Sequence, residues 1–245
     1  MNLKTMIPCL LLFLGLMTSF NYPMPKTDFP HKPGVHRMQL HCADGKIIRY
    51  VISIPTSFDK AKETPLVMTL HFGGRVSPYY GEAFLNALTG PALEELGAIM
   101  VSPDCPGRGW TDPYSEKAVI ALMDIVTLNY KIDKKKLLLT GFSMGGIGTW
   151  HIAANYPDRF TAIIPISSIS KSKILKKIKN LPIYIINSKT DEIFKIDDVE
   201  GMVKQLKAQG LSVTFVALEN TSHYHTHRFV PALKAAVPWI KKNWK

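Results

Sequence analysis

The 245-residue chain is poor in cysteine, in acidic residues and in long apolar runs, and each shortage removes a class of explanation. Of its three cysteines, Cys9 lies in an apolar leader, which leaves Cys42 and Cys105 far apart in sequence. That excludes a disulfide framework; a single bridge is allowed outside the cytoplasm and is not assigned. The 19 acidic residues face 30 lysines and arginines, for a formal net charge of +11. Such a surplus suits nucleic acid, but the bases at Lys131–Lys136, Lys171–Lys179 and Lys241–Lys245 are not interleaved with aromatics and fall beside helix ends or loops. They read as a solvated surface with no nucleic-acid partner, and weak attraction to acidic surfaces or anionic polymers stays open. The N-terminal apolar run, Ile7 to Met17 behind Lys4, is too short for a comfortable membrane span, and a polar, Pro-rich stretch follows it. It reads as a secretory signal peptide over roughly residues 1–20, with a Pro-rich segment over 21–34. A secreted or periplasmic location follows, without stable membrane insertion after cleavage. The cleavage site is not a clean small-x-small pattern, so an uncleaved anchor is the alternative. Internal repeats and a second domain are lacking too, which leaves 35–245 as one domain.

What is present is enough apolar residue, 46% of the chain, to fill one α/β core. Val35–Leu40 and Lys46–Ile54 read as a hairpin joined at Asp44-Gly45. Pro65–His71, Ala98–Ser102, Leu137–Leu139, Ala162–Ile166, Leu181–Ile186 and Ser212–Leu218 read as further strands, several of them continuous apolar runs of the kind buried on both faces. Helices are expected at Gly81–Leu96, at Ser115–Tyr130 with Ser115 as N-cap, at Met144–Asn155 stopped by Tyr156-Pro157, at Asp197–Gln209 and at Phe229–Trp244. Strands alternating with helices predict a mostly parallel, twisted sheet of about eight strands with helices on both faces.

Within this frame one stretch carries chemistry. The apolar run Leu137-Leu138-Leu139 leads into Gly141-Phe142-Ser143-Met144-Gly145 and then a helical segment, the strand, turn and helix that a nucleophile elbow requires. A serine hydroxyl is a weak nucleophile at neutral pH and needs a base, an orienting acid and an oxyanion site. Asp191 and His223 each follow a predicted strand, so the topology delivers Ser143, Asp191 and His223 to one sheet edge, in the chain order Ser, Asp, His. The expected roles are nucleophile for Ser143, proton acceptor for His223 and tautomer-fixing acid for Asp191. The N–H groups of Met144 and of Gly73, in the loop after His71, are the expected oxyanion donors.

These stretches, together with Leu70-His71-Phe72-Gly73-Gly74, Ser102-Pro103-Asp104, Tyr156-Pro157-Asp158-Arg159-Phe160 and a Trp239 helix behind Ser222-His223, resemble an α/β-hydrolase of the small secreted esterase type. The likeness runs from about Pro65 to the C-terminus and is to the dienelactone hydrolase, polyhydroxybutyrate-depolymerase-like and prolyl-oligopeptidase-like groups. It implies an α/β-hydrolase fold and ester cleavage without cofactor or metal. Two positions depart from the pattern: Phe72 and Ser222 stand where the family has glycine. Dienelactone cleavage itself would need cysteine in place of Ser143.

Duller readings stand beside these. Asp197 and Asp198 compete with Asp191 but fall inside the next helix, where first-turn charge explains them. His223, His225 and His227 alternate as in a metal site, although such a loop rarely supplies three convergent ligands. His71 reads as a structural residue shaping the oxyanion loop, Trp150 and Trp239 as core. Phe72, Tyr79 and Trp110 are candidate substrate-binding residues, and packing is the other reading of such aromatics. The expected function is a secreted serine hydrolase acting on small or polymer-borne esters through an acyl-enzyme. The alternatives are a peptidase with the same triad, or a silent hydrolase fold used for binding.

Overall fold

The computed structural model describes residues 29–244 apart from Ala43 and Val76. The signal-peptide reading and residues 21–28 of the Pro-rich segment lie outside the described residues. Eight strands form one sheet: β1 Gly34–His41, β2 Ile47–Ile54, β3 Thr64–Leu70, β4 Ile99–Pro103, β5 Ile132–Phe142, β6 Ala162–Ile166, β7 Ile183–Ser188 and β8 Val213–Leu218. Their order is β1-β2-β4-β3-β5-β6-β7-β8. β1 and β2 are an antiparallel hairpin, β2 runs antiparallel to β4, and all remaining pairs are parallel. The hairpin turns at Gly45, φ 79°, a left-handed position that suits glycine. After β4 the chain crosses to the other side of β3 to lay down β5, so the winding reverses at β3 and β5, and a crevice at their carboxyl ends is where a parallel sheet binds ligands.

The helices are α1 Tyr80–Phe84, α2 Gly90–Leu93, α3 Pro113–Asn129, α4 Met144–Asn155, α5 Ser172–Leu175, α6 Ile196–Ala208, α7 Val230–Ala235 and α8 Val237–Asn243. Alternate strand residues feed two cores. Leu137 and Leu139 pack with Leu122, Trp150 and Leu206 of α3, α4 and α6, whereas Leu138 and Phe142 pack with Phe84, Leu93, Leu233 and Ile240 of α1, α2, α7 and α8. This is the expected α/β-hydrolase architecture.

Several expected boundaries are corrected. The helix over Gly81–Leu96 is broken by a π-helical turn at Leu85–Thr89 ahead of Pro91, whose missing N–H cannot continue the ladder. The terminal helix divides at Ala236, with Pro231 and Pro238 at the starts of its two parts. The N-cap of α3 is Asp112, whose side chain accepts from the Tyr114 N–H, because Pro113 presets the first helical turn. Ser115 is buried instead and accepts from the Gly107 N–H. The lysines at 134–136 lie inside β5, not beside it: Ile132 already pairs with Thr64 of β3, but the register shifts before Leu137 pairs with Leu66, so residues 133–136 bulge from that ladder, while pairing with β6 begins only at Leu138 and Ala162. Cys42 and Cys105 are both buried free thiols.

Candidate active site

β5 ends at Phe142, and Ser143 turns the chain with φ 54° and ψ −116°, a conformation that costs a non-glycine residue energy and persists only where its surroundings enforce it. Here they do: the Ser143 N–H donates to the Ile166 carbonyl at 3.0 Å, and its own carbonyl receives the Ile147 N–H at 2.9 Å. Gly145 lets α4 begin directly against the end of β3. A Cβ at this position would stand 1.9 Å from the Leu70 carbonyl oxygen. The sharp turn and the close approach together hold the serine hydroxyl clear of the sheet.

Ser143 Oγ lies 2.9 Å from His223 Nε2. On the other side of the ring, His223 Nδ1 lies 3.1 and 3.0 Å from the two Asp191 carboxylate oxygens. An ionised carboxylate only accepts, so Nδ1 carries the ring proton and the Nε2 lone pair faces the serine. Asp191 and His223 are 3% and 5% exposed, dry enough for their mutual orientation to persist. Burial works to raise the Asp191 pKa, but the His223 hydrogen bond and the N–H donors of Phe194 and Ile193 outweigh it and hold the carboxyl below its ordinary value. The rings of Phe142, Phe194 and Tyr224 surround the imidazole at centroid distances of 5.2, 5.6 and 5.7 Å.

The loop after β3 approaches the start of α4. Gly73 lies against Met144, with a Cβ built on it falling 3.7 Å from the Met144 Cβ. Among the described residues neither the Gly73 nor the Met144 N–H donates a hydrogen bond, as two groups reserved for an anion would require. His71 anchors this loop from beneath. It is fully buried, its Nδ1–H donates to the Phe72 carbonyl at 2.6 Å, and its Nε2 accepts from the Cys105 N–H at 2.9 Å.

The three aromatic candidates separate. Phe72 turns its ring into the core, against Tyr80, Phe84 and Phe142. Trp110 is 1% exposed, donates from its indole to the His71 carbonyl and packs on Gly148, so it is a support under the loop and not a pocket wall. Tyr79 is committed to β1, with Arg37 over its ring at 5.1 Å and Gln39 on its hydroxyl. His225 and His227 are exposed, their rings 6.1 Å apart, and only His223 reaches the serine. Among the described residues no three His, Cys, Asp or Glu side chains are grouped to hold a metal ion.

Two acids had no role assigned from the sequence, although Asp104 falls in the Ser102-Pro103-Asp104 stretch. Glu192 Oε2 accepts the His223 N–H at 2.8 Å, and Asp104 accepts the N–H groups of Tyr79 and Gly81, fixing the far end of the Gly73 loop. Only the adjacency of Glu192 to Asp191 hinted at the first.

The chain resembles known proteins. It is 28% identical over 153 residues to a bifunctional acetylxylan esterase/xylanase of Neocallimastix patriciarum, covering 61% of this chain and 22% of that protein. It is 28% identical over 130 residues to a probable feruloyl esterase C of Aspergillus terreus, covering 48% and 45%. The chain thus spans less than half the length of either relative. Among solved structures, a thermostable esterase superposes with a TM-score of 0.72 at 22% identity, over 85% of this chain and 62% of that one. A lidless α/β serine hydrolase of Xanthomonas campestris gives 0.67 at 18% identity, over 88% and 98%. These likenesses fix the fold as that of the α/β-hydrolases. The model of the dienelactone hydrolase family matches residues 108–237, more than half of the sequence and the part that holds Ser143, Asp191 and His223, and the chain belongs to that family.

Proposed function

We propose that the protein is a secreted serine esterase in which Ser143 attacks a carboxylic ester, His223 accepts and returns the proton, and Asp191 holds the imidazole in the required tautomer. The observation that carries this is the continuous relay from Asp191 through His223 Nδ1 and Nε2 to Ser143 Oγ, every link within 3.1 Å, on a serine in a strained turn. In the first half-reaction Ser143 Oγ bonds to the acyl carbon, its proton passes to His223 Nε2 and then to the departing alcohol. In the second, water repeats the sequence and frees the acid. The negative oxygen in each tetrahedral intermediate is held by the N–H groups of Met144 and Gly73.

The substrate class is an ester of a small acid carried on a sugar polymer or a small alcohol, in keeping with the acetylxylan and feruloyl esterases among the relatives. Only 35 residues separate α4 from Asp191, and they are occupied by β6, α5 and β7, so no large lid intervenes. An open site of that kind accepts an ester still attached to a polymer.

A fluorophosphonate probe tests the nucleophile. Labelling of the folded protein that vanishes in Ser143→Ala is expected; no Ser143-dependent labelling overturns the assignment. A panel of acetyl, feruloyl and aryl esters beside peptidyl amides tests the reaction class, and faster turnover of the amides would replace the ester reading with a peptidase.

A further inference from the structure

The charge surplus is unevenly placed. The candidate site occupies the carboxyl ends of the strands, where bases such as Arg75 and Arg108 are offset by Asp104, Asp191, Glu192 and Glu219. The opposite edge, where the parallel strands begin, carries Asp59, Glu63, Asp133 and Asp158, of which Asp59 and Asp133 pair with Lys62 and Lys136, but its bases outnumber them. Lys60 precedes β3, Lys131 precedes β5, Lys134 and Lys135 are in the bulge near its start, and Lys176 and Lys179 lie on the segment entering β7. All six are exposed, and among the described residues none forms an ion pair with a carboxylate.

The chain also enters the fold at this edge. Phe29 is buried with its ring 5.7 Å from that of Tyr130, whose hydroxyl donates to the Pro30 carbonyl at 2.7 Å, one residue before Lys131. The stretch 1–28 therefore connects here, and its apolar run Ile7–Met17 is separated from Phe29 by a reach of at most about 40 Å.

We infer that the strand-start edge of the sheet is a docking surface for an anionic lipid bilayer, held by Lys60, Lys131, Lys134, Lys135, Lys176 and Lys179. A flat anionic surface matches lysines spread along one edge, each bringing roughly fivefold in partition when held near such a membrane. An acidic polymer acting as substrate would have to reach Ser143, and Lys134 lies nine residues before Ser143, beyond the bulge in β5 and about 20 Å or more away along the strand. Docking by this edge leaves the serine facing solution. The lysines act whether the apolar leader is retained or removed, and where it is retained both signals pull on the same side of the molecule.

Sedimentation of the purified full chain with vesicles tests this. Binding to vesicles one-third phosphatidylglycerol in phosphatidylcholine is expected to exceed binding to pure phosphatidylcholine at least about tenfold, and to fall as salt shortens the Debye length. K134E/K135E/K176E/K179E is expected to remove at least about tenfold of the anionic binding, whereas R108E/R228E, on the other edge, leaves it within about twofold. Circular dichroism melts establish that each variant is folded; should the fourfold variant not fold, K134E/K135E and K176E/K179E are each expected to lose at least about threefold. Equal binding to both vesicle types, no loss on charge reversal, or the same loss in R108E/R228E overturns the inference. So does retention on polygalacturonate without binding to vesicles, which would identify an acidic polysaccharide as the partner.

Discussion

The Glu192 carboxylate receives the backbone N–H of His223 at 2.8 Å, so the residue beside Asp191 also pins the loop that carries the proposed base. Its carboxyl is held below the ordinary range, first by that N–H and then by the Ser222 side chain. Asp191 holds the ring and Glu192 the chain behind it, so in the proposed reaction Glu192 is a positioning residue. Glu192→Ala is expected to lower ester kcat roughly two- to tenfold with KM unchanged. Glu192→Gln, which keeps an acceptor oxygen, is expected to restore most of that loss. A drop in both variants alike, or a change confined to KM, would remove Glu192 from this role.

Asp191→Asn keeps the shape of the side chain but allows the wrong imidazole tautomer, and a loss of about 10⁴ in kcat is expected on the precedent of serine-protease triads. The depressed Asp191 pKa also has a stability consequence. A carboxyl whose folded pKa lies below its unfolded value of about 3.9 stabilises the fold above that value and stops doing so as pH falls through the folded one. Urea melts are therefore expected to show a constant difference between wild type and Asp191→Asn above about pH 5, closing below about pH 4.

The sequence made the strands legible because burial on both faces left runs such as Ile163-Ile164 and Ile183–Ile186 almost wholly apolar, and the sheet order then set where Ser143, Asp191 and His223 fall. Helix interiors were less legible: Pro91, Pro231 and Pro238 broke two helices whose apolar spacing read as continuous. The loops were least legible. Phe72, Tyr79 and Trp110 all stand on the active side of the sheet, but their rings are directed by partners distant in sequence, Phe142, Arg37 and the His71 carbonyl. Glu192 was invisible for the same reason, since its partner is 31 residues away.

Two glycines on helices are expected to answer oppositely to alanine. At Gly145 the new methyl would overlap the Leu70 and His71 carbonyls, backbone groups that cannot rotate away, and would push α4 from β3 and Met144 from Gly73. Gly145→Ala is expected to cost at least about 2 kcal/mol, a fall in Tm of roughly 4–8 °C, and to reduce kcat further than the fraction unfolded explains. Gly201, inside α6, has nothing within 4 Å of a built Cβ. Gly201→Ala is expected to raise stability by about 0.5–1 kcal/mol through helix propensity and a less flexible unfolded chain.

His71 supplies the last prediction, because its two ring nitrogens demand one protonation state. Nδ1–H donates to the Phe72 carbonyl, so Nε2 must accept the Cys105 N–H, and a proton there would set two donors against each other. Burial, acting first, lowers the His71 pKa below its ordinary value despite the Phe72 carbonyl and Asp104, which favour the charged form. The unfolded chain then takes up the proton at about pH 6.5, before the folded one, so this stabilisation is complete above pH 6.5 and declines as pH falls toward the folded value. His71→Gln keeps an acceptor for Cys105 but takes up no proton. Over the window below pH 6.5 its stability is expected to fall less steeply than that of wild type, by up to about 1.4 kcal/mol per pH unit in denaturant melts. An equal slope in both proteins would mean that His71 is protonated inside the fold, which the Cys105 N–H directed at Nε2 does not permit.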